Sequence, residues 1–246
     1  MTGVTALLIP GTMCDARMWR SGGDIIRRKL LAALGTQPAD ADLNQDDTVE
    51  AMASRALRET SGPLLLVGFS MGAIVAVEMA LQAPDRICGL ILSGYNAGPD
   101  TAERASARPL QQDRVRSGLL RDVIVEELKP LYLAAENKCD RELRDLLLDM
   151  AMAAGPSVFV RQSEALRNRV GRQIQLSILG VPTMYLAGCE DRLCPPKWHL
   201  EWSTLTPKSC FVEIQGAGHL VPLEQPRQFA SAIEQWININ IKKAAI

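Results

Sequence analysis

Gly68-Phe69-Ser70-Met71-Gly72 stands between two apolar runs, Leu64-Leu65-Leu66-Val67 before it and Ala73-Ile74-Val75-Ala76-Val77-Glu78-Met79-Ala80-Leu81 after it. The first run is short and bounded by Ser61-Gly62-Pro63, which reads as a buried strand. The second is long enough for a helix and is stopped by Pro84. Glycines on either side of a serine at a strand-to-helix turn let the backbone fold tightly and leave the hydroxyl projecting, so the serine can attack a carbonyl. A turn whose serine merely caps the next helix has the same pattern. The rest of the chain decides between them.

The 246 residues suit one large domain or two small ones, and since no linker-like or low-complexity tract divides them, one α/β domain with an insertion fits best. Hydrophobic residues at 47% can fill a sizeable core, while a formal net charge of -1 supplies no field to attract nucleic acid or an acidic membrane. A small-molecule partner is expected. The amino terminus lacks a basic start followed by an apolar stretch, and no apolar run is long enough to cross a bilayer, so a soluble, cytoplasmic protein is expected. Cys14, Cys88, Cys139, Cys189, Cys194 and Cys210 include no C-x-x-C pair and are expected as reduced thiols; Cys189 and Cys194 near Asp191 have a spacing unlike common zinc motifs.

Outward from the serine, strands alternate with helices. Val4 to Ile9 reads as a buried strand ending at Pro10-Gly11, after which Thr12-Met13-Cys14-Asp15 forms a loop whose N–H groups can face an anion. Asp15 caps a helical turn through Met18 and Trp19. Ile25 to Leu31 looks helical, but no clear strand appears between Ser21 and Asp47; Thr48 to Arg58 regains helical spacing. Ile87 to Leu92, Pro182 to Ala187 and Cys210 to Ile214 read as further strands, and Pro226 to Ile237 as a closing helix with Phe229, Ile233 and Trp236 on one face. Between Asn96 and Leu179 the chain is charged and helical, with Leu143, Leu146, Leu147 and Met150 at helical spacing. Such a block either packs on the main domain or lies over a pocket as a lid. The alternation predicts an α/β fold with a mainly parallel sheet, whose functional loops lie at the carboxyl ends of strands, where Thr12, Ser70, Asp191 and His219 all fall.

A serine hydroxyl needs a base, usually histidine near neutral pH. Of the two histidines, His199 sits in a helical-looking segment and reads as a surface or packing residue, whereas His219 follows a strand in a glycine-rich loop. A histidine base needs a carboxylate to hold its tautomer, and Asp191, with Glu190 as rival, lies in the loop after the preceding strand. The N–H of Met71 is placed to stabilise an oxyanion, with a second donor from Thr12 or Met13, of which Thr12 is preferred.

These residues together resemble the α/β-hydrolase superfamily over nearly the whole chain. The resemblance rests on Gly68-Phe69-Ser70-Met71-Gly72, Gly188-Cys189-Glu190-Asp191 and Gly216-Ala217-Gly218-His219 in the order serine, acid, histidine, with Pro182-Thr183 and Leu223-Glu224-Gln225-Pro226 also similar. It implies an α/β-hydrolase core over residues 1–95 and 180–246, a helical cap insertion over 96–179, and Ser70, Asp191 and His219 as the triad. Pro10-Gly11-Thr12 departs from the His-Gly that many members carry before the oxyanion loop, and Ser21 to Asp47 suggests a reduced early sheet. The expected activity is hydrolysis of a small or medium, largely uncharged carboxylic ester or lactone, without metal or organic cofactor. A carbon–carbon bond hydrolase or thioesterase uses the same parts, and a ligand-binding member would have lost turnover. Oligomeric state is not legible in the sequence.

Overall fold

The computed structural model describes residues 3–128 and 132–241. Six strands, β1 (Thr5–Ile9), β2 (Ala39–Asp40), β3 (Leu64–Phe69), β4 (Ile87–Ser93), β5 (Thr183–Gly188) and β6 (Ser209–Ile214), form one sheet in the order β2-β1-β3-β4-β5-β6. Every adjacent pair is parallel. Parallel strands need crossover connections, and here helices supply them: α1 (Ser21–Leu34), α2 (Val49–Glu59), α3 (Met71–Gln82), α4 (Ala102–Arg116), α5 (Arg141–Ala154), α6 (Pro156–Asn168), α7 (Pro196–Leu205) and α8 (Pro226–Asn240).

Both faces of the sheet are covered, which is why its strands read as unbroken apolar runs. Leu7, Ile9, Leu64, Leu66, Leu90 and Leu92 face a core built with Met52 and Ala53 of α2 and most of α3. Their alternates Ala6, Leu8, Leu65, Val67 and Ile91 face the other core, with Ile26 and Leu30 of α1 and Phe229, Ile233 and Trp236 of α8. α3 lies so deep that every residue from Met71 to Ala80 is buried, and its Glu78 carboxylate is held by Arg172 at 2.7 Å.

The stretch from Ser21 to Asp47 holds only the two-residue edge strand β2, paired to β1 through Leu7 and Leu8. Its helix starts late: Gly22, Gly23 and Asp24 all take positive φ, and only then does α1 turn regularly to Gly35, whose φ of 73° ends it. Asp15 accepts from Arg17 N–H and caps the turn Ala16–Arg20, as its position predicts. Between β4 and β5 the described residues form no strand; they make α4, α5, α6 and shorter turns, including a π-helical segment Val123–Leu128. Leu143, Leu147 and Met150 of α5 are buried, with Leu146 partly so, and they join the core that contains α1 and α8.

Strand order decides where a ligand can enter. The chain steps from β1 outward to β2, then returns to β3 on the other side of β1, so the loops after β1 and β3 leave the sheet in opposite directions. A crevice at the carboxyl ends of the strands results there, the usual place for a ligand on an open parallel sheet.

No described helix is long and apolar enough to cross a membrane.

Candidate active site

Ser70 closes β3 and opens α3 with φ 52° and ψ -114°, a sparsely populated conformation for a residue with a Cβ. The turn is held by Ser70 N–H donating to Ser93 O at 2.8 Å and by Ala73 N–H donating to Ser70 O at 3.0 Å. Gly72 is needed because a Cβ there would overlap Ile9 O and Pro10 O of the neighbouring loop. The only hydrogen-bond partner of the Ser70 Oγ among the described residues is His219 Nε2, at 3.0 Å.

His219 Nδ1 faces Asp191 Oδ2 at 2.7 Å, and Asp191 Oδ1 accepts the N–H groups of Leu193 and Cys194, each at 2.8 Å. Asp191 and His219 are both buried, at 4% exposure. Burial pulls the Asp191 carboxyl upward, but the adjacent His219 ring, its hydrogen bond and the Cys194 N–H outweigh it, leaving the group below its ordinary value. Asp191 therefore stays ionised beside the ring and fixes its tautomer with Nδ1 donating and Nε2 free to accept. Glu190, the rival acid, points elsewhere and accepts the Ala135 N–H at 2.9 Å.

The histidine loop is pinned on several sides. His219 N–H donates to Tyr132 O at 2.7 Å, and Glu224 accepts from the N–H groups of Gly218 and Leu220 at 2.9 and 3.1 Å. The ring lies between Phe69 and Tyr132, with centroids at 5.1 and 6.0 Å. Against its Cε1 sits Gly94, where φ is 61° and a Cβ would come within 2.8 Å of that atom. His199 is fully buried, which removes its surface reading. Its Nε2 accepts the Tyr95 N–H at 2.8 Å, so it braces the loop that begins with Gly94, and burial lowers it to about 4 and keeps it neutral.

Of the two candidate donors after Gly11, Met13 is already engaged: its N–H, on a residue with φ 55°, donates to Gln162 Oε1 at 2.8 Å. The Thr12 and Met71 N–H groups have no acceptor among the described residues, and both residues line the cavity that holds Ser70 and His219. Gln162, on α6 and 1% exposed, was invisible to sequence reasoning; its Nε2 also donates to Leu43 O and to Asn44 Oδ1. A lone glutamine on a helix carries no signal of such a role.

The cavity measures about 200 Å³ and is walled by Phe69, Ile74, Phe159 and Leu166, with charged groups from the segment between β4 and β5. Cys14 also lines it, but burial and the Asp15 charge push its thiol up to about 12, so it stays protonated near neutral pH. Among the described residues no group of three or more His, Cys, Asp or Glu side chains is arranged to hold a metal ion.

A sequence profile described as "Alpha/beta hydrolase family" matches residues 6–232. A pimeloyl-[acyl-carrier protein] methyl ester esterase of Neisseria meningitidis is 25% identical over 210 residues, covering 80% of this chain and 78% of that protein. A biotin biosynthesis bifunctional protein of Cellvibrio japonicus is 23% identical across 96% of this chain, which spans only 48% of that longer protein. Among solved structures, a thermophilic esterase from Thermogutta terrifontis superposes with a TM-score of 0.82 at 29% identity, covering 96% of this chain and 90% of that one.

Proposed function

The chain belongs to the alpha/beta hydrolase family, and from that premise we propose that it is a serine hydrolase cleaving a small carboxylic ester or lactone. The observation that carries this reading is the continuous hydrogen-bonded line from Asp191 Oδ2 through His219 to Ser70 Oγ, at 2.7 and 3.0 Å, opening into a cavity.

In this mechanism Ser70 Oγ attacks the substrate carbonyl carbon while His219 Nε2 takes the hydroxyl proton. Negative charge collects on the former carbonyl oxygen, where the free N–H groups of Thr12 and Met71 receive it; each such donor is worth about 3 kcal/mol of barrier. Collapse of the tetrahedral intermediate expels the alkoxide, which takes the proton from His219, and Ser70 is left acylated. Water then repeats the sequence: His219 removes its proton, its oxygen adds to the acyl carbon, and the acid leaves as Ser70 regains its hydrogen. Asp191 stays ionised throughout and stabilises the imidazolium. An aspartate nucleophile, as haloalkane or epoxide opening requires, is absent from the elbow.

Support comes from three directions: the geometry, the two unpaired N–H groups, and the esterase character of the relatives. The test is labelling with a serine-directed fluorophosphonate, read by peptide mass spectrometry, beside a screen of short-chain esters, lactones and thioesters. Stoichiometric label on Ser70 that is lost in His219→Ala, with turnover of an ester or lactone, is the expected result. Absence of both label and turnover would overturn it in favour of a binding protein, and thioester preference would move the substrate class.

A further inference from the structure

Five charged side chains of the segment between β4 and β5 line the same cavity as Ser70, and they do not cancel. Asp100, whose side chain is 2% exposed, is shared by two guanidinium groups: Arg108 Nε at 2.6 Å and Arg169 Nη1 at 3.1 Å. Glu127 is spoken for by Arg114 and by Gln111 Nε2 at 2.8 Å. Arg104 has no carboxylate within ion-pair distance among the described residues. Its one side-chain hydrogen bond among the described residues runs from Nη2 to Leu193 O at 2.9 Å.

A guanidinium carries five N–H donors, so most of those on Arg104 remain unused. Holding a single carbonyl does not require a charge, and a half-buried cation in a cavity also walled by Phe159 and Leu166 is costly unless an anion meets it. The position is also close to the reacting atoms. Leu193, which Arg104 holds, donates its own N–H to Asp191, and the Arg108 and Arg104 charges act on the Tyr132 hydroxyl, on a ring 6.0 Å from His219.

We propose that Arg104, seconded by Arg108, is an anion-binding subsite, and that the substrate is an ester whose acyl or alcohol half carries a carboxylate. This rests on the hydrolase reading and replaces the largely uncharged substrate expected from sequence. The whole-chain charge of -1 conceals a local excess of one positive charge over the cavity-lining Asp100, Arg104, Arg108, Glu127 and Arg169. Bidentate pairing with a carboxylate suits a planar fork held in place by Leu193 O.

The experiment compares monomethyl with dimethyl esters of dicarboxylic acids from succinate to adipate. In the wild type the monoester is expected to have the higher kcat/KM. Arg104→Gln is expected to lower the monoester-to-diester ratio by about tenfold or more, chiefly through KM, and Arg104→Lys to keep part of it. A ratio untouched by Arg104→Gln, or a wild type that favours the diester, overturns the proposal. Should the wild type cleave neither ester, the hydrolase reading is decided by fluorophosphonate labelling of Ser70, and the subsite is read on its own from thermal unfolding of Ser70→Ala with succinate or adipate. Stabilisation that disappears in the Ser70→Ala, Arg104→Gln double variant upholds it; no stabilisation by either acid overturns it.

Discussion

The loops at the strand ends and the helical segment between β4 and β5 contribute different things to one site. Ser70, Asp191 and His219 come from loops after β3, β5 and β6, and so does every atom the proposed reaction transforms. The helical segment supplies no reacting atom, yet it holds two of those loops and the loop after β1: Gln162 takes the Met13 N–H, Tyr132 O takes the His219 N–H, and Arg104 grips Leu193 O beside the acid. Division of this kind teaches that reactivity is set by backbone turns the sheet dictates. Alignment is set by side chains and a backbone carbonyl that the sheet does not constrain.

Ser70→Ala tests the first half and should have the largest effect. We expect kcat to fall about 10⁴-fold or more, equivalent to about 5 kcal/mol of barrier, with the unfolding midpoint nearly unchanged because Oγ bonds only His219. Activity within tenfold of wild type would place the chemistry elsewhere. Gly72→Ala comes next: its Cβ would enter the space of Ile9 O, so folding should lose about 3 kcal/mol or more, read from urea denaturation. An unchanged midpoint would mean the elbow is looser than the packing indicates.

His199 makes the third prediction, through pH. Folding lowers it from 6.5 to about 4, so between those values the unfolded chain binds a proton that the folded chain refuses. Stability from this group is full above 6.5 and lost as pH falls toward 4, by about 3 kcal/mol. His199→Gln keeps an acceptor for the Tyr95 N–H and should flatten that part of the curve; parallel curves for wild type and variant would refute it. The smallest effect belongs to the helical segment. Gln162→Ala leaves the Met13 N–H without its acceptor, and we expect a stability loss of about 1–3 kcal/mol with kcat reduced about tenfold. Loss of stability with kcat intact would show that the oxyanion loop keeps its shape unaided.

The sequence was informative where local rules are strict. Apolar runs buried on both sheet faces made Leu64 to Val67 and Ile87 to Leu92 readable as strands, and the glycine pair around Ser70 made the turn readable. His219 and Asp191 could be singled out as candidates because they follow successive strands, and the structure brings them within hydrogen-bond distance of each other and His219 of Ser70. β2 escaped notice because two residues, Ala39 and Asp40, carry no pattern. His199 was only partly read: its burial depends on Phe211 and the loop at Tyr95, one beyond the next strand boundary and the other distant in the chain. Gln162 and Arg104 were missed for a related reason, since each acts through a partner far away in sequence whose position only the fold supplies.

The grip of the helical segment on the strand-end loops bears on how such a protein can change or be rebuilt. A lid that merely covers a pocket can be exchanged between relatives as a cassette. Here a transplanted segment would arrive without Gln162 for Met13 and without Arg104 for Leu193, and the recipient loops would relax. Chimaeras should therefore exchange the segment together with the loop after β1 and residues 42–44, where Leu43 and Asn44 complete the glutamine's contacts. Inheritance of substrate preference in this chain is then a matter of co-adapted segments, and recombination points belong inside the strands, away from their ends.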